Sequence, residues 1–162
     1  MIMDELLEFC DAESVAASAG TALVGDVINS QDAKDLGMTG MPVYLVISVS
    51  TAIITGGAAG TIQFKLASDA TASIQTDGSA TDHWISPTFV TDDAALNDLD
   101  IGDYVARVPL PMESESQVTG RVYEAFLGIL VVTATTTTTA GAINAFLTLQ
   151  PPKHASLPDA AN

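Results

Sequence analysis

Two histidines, one cysteine and several carboxylate clusters are the side chains of this 162-residue sequence whose types suit chemistry. His83 follows Asp82 and stands three positions before Ser86, which together give the three residue types of a nucleophilic triad. A triad needs its base held in space between nucleophile and orienter, and closeness along the chain does not supply that. His83 therefore reads as a histidine on a surface loop. His154 lies in a proline-rich stretch and reads as solvated. Two histidines so far apart, with Cys10 as the single cysteine, do not make a zinc set. Cys10 neighbours Leu6, Leu7 and Phe9, and a thiol that is buried and inert, or free and exposed, fits better than a nucleophile.

The densest acidic stretch holds Asp92, Asp93, Asp98, Asp100 and Asp103. A helix–loop–helix calcium site needs oxygen ligands at loop positions 1, 3, 5 and 12 and a glycine at 6. Asp98, Asp100, Gly102 and Asp103 do not follow that spacing, so the clustering permits adventitious calcium binding and no more. Glu113 and Glu115 stand at i and i+2, on one face if the segment is a strand, as paired carboxylates for glycoside chemistry would. They follow Pro111 in a polar stretch with no clustered aromatics, and Trp84 is the only tryptophan, so they read as a solvated acidic loop. Gly56, Gly57 and Gly60 lack the Lys-Ser/Thr pair of a phosphate-binding loop. No catalytic, cofactor-binding or metal-ligating residue is assigned, and no cofactor is expected.

The elements that would position these groups are strands. Apolar residues recur at period two in Val43 to Thr51 (Leu45, Ile47, Val49), in Thr61 to Ala67 (Ile62, Phe64, Leu66) and in Ala142 to Leu149 (Ile143, Ala145, Leu147, Leu149). Tyr104 to Leu110 sets Ala106, Val108 and Leu110 opposite Arg107, and Pro109 and Pro111 either put this strand at an edge or end it there. Arg121 to Thr133 is apolar on both faces, as a central strand is, and Thr21 to Ile28 is a weaker strand. The predicted core is Leu45, Ile47, Val49, Ile62, Phe64, Leu66, Ile129, Val131, Leu147 and Leu149. Thr55 to Gly60 reads as a turn, Thr135 to Gly141 as a hairpin loop, Ser68 to His83 as a polar segment turning at Asp77-Gly78, and Thr91 to Asp103 as a solvated connection. Only Met1 to Phe9 suits a short helix. Short strands with no helical pattern between them predict an all-β antiparallel jelly roll or β-sandwich with long loops. Its expected organisation is an N-terminal arm over residues 1–20, a β domain over 21–150 and an extended C-terminal tail over 151–162.

Composition narrows the function classes. Hydrophobic residues make up 48% of the chain, enough to exclude disorder throughout. Five Lys and Arg stand against 20 Asp and Glu, a formal net charge of −15, and such a surface repels phosphate backbones and anionic lipid. No nucleic acid and no membrane partner is expected. Met1 to Asp11 has no basic n-region and no long apolar run, so it does not read as a signal peptide. The longest apolar run, Ala125 to Ala134, is too short for a membrane helix.

The N-terminal residues carry a resemblance. Met1-Ile2-Met3-Asp4-Glu5-Leu6-Leu7-Glu8-Phe9-Cys10-Asp11-Ala12 resembles the opening pattern M-I/L-x-D-x-L-L-x-F-S-D-A-Q of the small capsid cement, or decoration, proteins of tailed, podovirus-like phages. Cys10 replaces the usual Ser, and Glu13 the Gln. Gly40-Met41-Pro42-Val43-Tyr44-Leu45-Val46-Ile47 is similar to a second pattern of that family, and Arg121 to Leu149, with Thr139-Ala140-Gly141 before the last strand, to its C-terminal hairpin. The similarity runs to about residue 150. It implies a jelly roll, no catalysis, and attachment to the outer face of a phage head, with the protein made in the host cytoplasm. The implied partners are the major capsid protein and further copies of the chain, as a dimer or trimer.

The residues themselves mark one candidate interaction element. Leu6, Leu7 and Phe9 are apolar among Asp4, Glu5, Glu8 and Asp11. They either bind a partner or dock the N-terminus on its own domain. Two other classes stay open: a carbohydrate- or receptor-binding β-sandwich of the virion, set against an aromatic content of 6%, and a metal-dependent jelly-roll enzyme, which calls for a histidine cluster.

Overall fold

The structure, a computed structural model, describes residues 5–30, 42–55, 60–91, 99–110 and 123–152. A 3-10 turn over Glu5–Leu7 leads into β1 (Glu8–Ser14), and β2 (Gly20–Asn29), β3 (Tyr44–Thr55) and β4 (Thr61–Asp69) follow. Next come β5 (Thr81–Ile85), the two-residue β6 (Phe89–Val90), β7 (Tyr104–Pro109), β8 (Phe126–Ala134) and β9 (Thr138–Thr148). The first sheet has the order β1-β9-β3-β7 and the second β2-β8-β4-β5, with β6 added on β4; every pairing is antiparallel. With β6 set aside, β1 pairs with β9, β2 with β8, β3 with β7 and β4 with β5. The ribbon so formed rolls up through β9–β3 and β8–β4. That pairing scheme is the jelly roll.

Alternation builds the core. In β4, Ile62, Phe64 and Leu66 are fully buried between the sheets, while Gln63 and Lys65 are only partly covered on the outer face. Leu45, Ile47 and Val49 of β3 and Ile129 and Val131 of β8 meet them from either side, and Leu147 closes the row. Leu149, predicted in this core, is 44% exposed: β9 ends at Thr148, and Leu149 lies past the last paired residue, where the alternation no longer applies. β8 is central in its sheet and β7 an edge strand that ends on Pro109, as their sequences predict.

Three connections differ from the sequence reading. Residues 135–137 do not close a hairpin, because β8 belongs to the second sheet and β9 to the first; the turn carries the chain across the sandwich, with Thr135 at φ 73°. β9 already begins at Thr138, so most of the Thr/Ala/Gly run is strand. The ends of the 91–103 connection are anchored on the first sheet, although Asp100, Ile101 and Asp103 keep exposed side chains. Thr55, Ile53 and Val49 donate their N–H groups to the carbonyls of Thr91, Leu99 and Asp103, so both ends lie along β3, and Thr91 and Leu99 are buried. The 70–80 segment is polar and turns at Asp77-Gly78, yet it folds back over the second sheet. Ile74 packs with Ala67 and Leu130, and a Cβ on Gly128 would come within 2.5 Å of the Ile74 Cδ1. The Thr71 and Gln75 N–H groups bond the Asp69 carboxylate, and Gln75 first, then Thr71, holds it below its usual pKa.

Candidate functional site

The N-terminal element is a strand of the domain. Glu8–Ser14 pairs with β9, and helical geometry is confined to the short turn over Glu5–Leu7 among the described residues. Phe9 is 1% exposed in the core and Leu7 packs against that core, whereas Leu6 is 68% exposed. The docking alternative therefore holds for Phe9 and Leu7, and Leu6 alone of the three faces solvent. The reason is register: Glu8 pairs with Phe146, which turns Phe9 inward between the sheets. The antiparallel pairing also places Leu6, two residues before Glu8, at the same end of the first sheet as Leu149, three residues after Phe146.

The strand is held by local exceptions to regular pairing. Ala12 has φ 50°, an unusual conformation for a residue with a Cβ, and its N–H donates to the Asn144 Oδ1 at 2.6 Å. Gly25, at φ 71°, lets β2 pass over β1: a Cβ there would strike the Phe9 carbonyl oxygen and lie 2.6 Å from the Cys10 Cβ. Cys10 is buried, and its thiol donates weakly to the Ile143 carbonyl at 3.6 Å. Burial pushes this thiol up to about 12; nearby Glu13, Glu8 and Asp11 add to the rise, and a backbone hydrogen bond at Ala145 opposes it. Cys10 is thus a protonated, inert thiol, one of the two alternatives the sequence leaves.

The triad residues part company. Asp82 forms an ion pair with Lys65 at 2.8 Å, both side chains about a quarter exposed. The Ser86 hydroxyl donates to the Pro87 carbonyl and accepts the Phe64 N–H. His83 lies in β5, not on a loop, and its Nε2 is 2.7 Å from the Ser68 Oγ while its ring stacks on Tyr123 at 3.9 Å. Sequence reasoning missed this Ser–His pair because Ser68 reads as the start of a loop, although it continues the inward row of Ile62, Phe64 and Leu66. A nucleophile needs an approach to its substrate. Ser68 is fully buried and also accepts the Glu124 N–H at 3.1 Å, so the pair stitches β4, β5 and the lead into β8 together.

Among the described residues no group of three or more His, Cys, Asp and Glu side chains is placed to hold a metal. Asp100 and Asp103 bond each other's backbone in a turn, the Asp100 N–H donating to the Asp103 carboxylate at 2.8 Å. Asp92, Asp93, Asp98, Glu113, Glu115 and His154 lie outside the described residues, as does the tail beyond Pro152. No helix among the described residues is long and apolar enough to cross a membrane. Among the described residues, the remaining large apolar side chains with high exposure are Ile85 and Val90 on the β5–β6 side and Ile101 beside β7. No family model and no curated protein matches the chain.

Proposed function

We propose that this chain is a structural cement protein that binds the outer surface of a phage head, self-associates as a dimer or trimer, and stabilises the expanded shell without catalytic turnover. The observation that carries the reading is the N-terminal pattern from Met1 to Ala12, whose Leu6 and Leu7 lie in the turn that leads into β1 and whose Phe9 lies in β1 itself. The jelly-roll pairing and the net charge of −15 support it. A strongly acidic protein stays soluble before assembly and keeps away from packaged DNA. Binding the expanded shell better than the unexpanded one shifts that equilibrium, and several copies of one weak contact multiply the effect.

The surface offered for attachment is the corner of the first sheet where exposed Leu6 and Leu149 lie, beside β1, the last strand on that side of the sheet. Phe9 and Leu7 act through the core and position this corner. Part of the attachment is electrostatic and falls with salt, and the apolar part resists it. The test mixes purified protein with expanded heads that lack it and follows co-sedimentation and heat tolerance. Binding that Leu6→Asp weakens while the free protein's melting temperature holds is the expected result. Heads that neither bind the protein nor gain thermal tolerance would reject the reading and reopen the carbohydrate- or receptor-binding and enzyme alternatives.

A further inference from the structure

We infer that one end of the sandwich encloses ordered water held by buried threonine hydroxyls. β3 and β8 finish at this end, and β4 and β9 begin there. Thr55, Thr91, Thr133 and Thr138 are each no more than 2% exposed. Thr55 pairs with Thr138 across β3 and β9, and its N–H and hydroxyl both donate to the Thr91 carbonyl, at 2.9 and 2.6 Å. The Thr91 N–H donates to the Gly60 carbonyl at 3.0 Å. Gly60 precedes Thr61, which pairs with Ala134 next to Thr133. The chain of bonds and pairings thus gathers all four threonines at one place. Thr133 continues the row of Leu127, Ile129 and Val131, the face of β8 turned toward the other sheet.

Three of these hydroxyls, Thr91 Oγ1, Thr133 Oγ1 and Thr138 Oγ1, have no hydrogen-bond partner among the described residues, and Thr136 Oγ1 on the joining turn has none either. A domain is only marginally stable, and buried polar atoms left without partners weigh heavily on it. Valine fits the strand positions of Thr133 and Thr138 as well as threonine does, so there the local fold does not require the hydroxyl. Water satisfies them, because a buried water makes two to four hydrogen bonds and both donates and accepts. A cation does not fit: each of the three hydroxyls carries a hydrogen that needs an acceptor, and a cation offers none.

The experiment substitutes Thr133→Val and Thr138→Val singly and together in the full chain. Thr51→Val, exposed on β3, calibrates the change in intrinsic strand preference. Each buried substitution is expected to lower the melting temperature by roughly 2–4 °C relative to that control. Oxygen-17 relaxation dispersion is expected to find long-lived water in the natural protein and less of it in the double variant. A melting temperature that holds or rises would show dry hydroxyls whose removal relieves a penalty, and would overturn the inference. So would a lower melting temperature with the long-lived water signal unchanged, which would mean that the hydroxyls bond to protein.

Discussion

β4 pairs with β8 over nine consecutive positions, from Thr61 opposite Ala134 to Asp69 opposite Phe126, without a shift. β1 pairs with β9 at Glu8, Cys10, Glu13 and Ser14, with two shifts between them. Both are antiparallel pairings around one core, yet they are specified differently. In an unbroken ladder each side chain's face follows from its neighbours', so alternation fixes which residues face the core, while Ala67 and Leu130 are buried on the outer face with Ile74 of the 70–80 segment. In β1 the shifts let Phe9 and Cys10, adjacent in sequence, both be buried. Such a strand depends on particular residues elsewhere: Gly25 on β2, and the Asn144 side chain on β9, which takes the Ala12 N–H.

The largest effects test whether both regions share one core. Phe64→Ala, in the unbroken ladder, is expected to cost about 3–5 kcal/mol of unfolding free energy in urea denaturation. Phe9→Ala should fall at the lower end of that range, because an edge strand collapses around a cavity more readily than a central one. Removing residues 1–9 takes Phe9 out of the core and the start of β1 off the sheet, and should destabilise the domain rather than only weaken attachment. Leu149→Ala, beyond the last pair of β9, is expected to stay within about 0.5 kcal/mol. A cost for Phe9→Ala as small as that of Leu149→Ala would mean that β1 is a detachable arm in solution.

A smaller effect separates the two kinds of glycine. Gly25→Ala places a Cβ against backbone at a positive φ, and should cost more than about 1 kcal/mol and loosen β1 selectively in hydrogen exchange. Gly128→Ala, in the regular second sheet, meets the ends of two flexible side chains, the Ile74 Cδ1 at 2.5 Å and the Leu23 Cδ1 at 2.9 Å. Its cost should be lower, with exchange quickening in the 70–80 segment and not in β1. Equal costs at both glycines would erase the distinction drawn between a strand crossing and a ladder.

The same contrast explains what the sequence makes legible. Leu45, Ile47, Ile62, Phe64 and Leu66 could be placed because period-two alternation continues through their strands. β1 could not, since Glu8 to Ser14 has no alternation, and its burial is set by Gly25 some fifteen residues on. Thr135 to Gly141 reads as a hairpin loop because turn residues announce a reversal without saying which sheet the chain enters next. Ile74, one apolar residue in a polar stretch, gives no period at all, and only the glycine opposite it on β8 makes room for it. Of the candidate site, the apolar spacing of Leu6, Leu7 and Phe9 was visible, but which of them faces out depended on the register with Phe146.

The smallest effect returns to the β1 edge and reads its burial through Cys10. The thiol's pKa is raised from 9.0 in the unfolded chain to about 12, so the folded state holds this proton more tightly than the unfolded state does. Its contribution to stability is therefore fully present below pH 9 and is lost as pH rises from there toward 12. Between pH 7 and pH 9.5 the loss is at most about 1 kcal/mol, since only the unfolded thiol ionises in that window. Tyrosines and lysines titrate in the same direction of pH, so the informative quantity is the difference between the natural protein and Cys10→Ala. The alanine variant carries a cavity cost that does not depend on pH, and its urea midpoint should fall less steeply as pH rises. A thiol reagent at pH 8 should label the natural protein only as fast as β1 opens. Parallel pH slopes with fast labelling would place Cys10 in solvent and β1 away from the sheet, whereas divergent slopes with slow labelling fit an edge strand whose irregular register still seals its side chains.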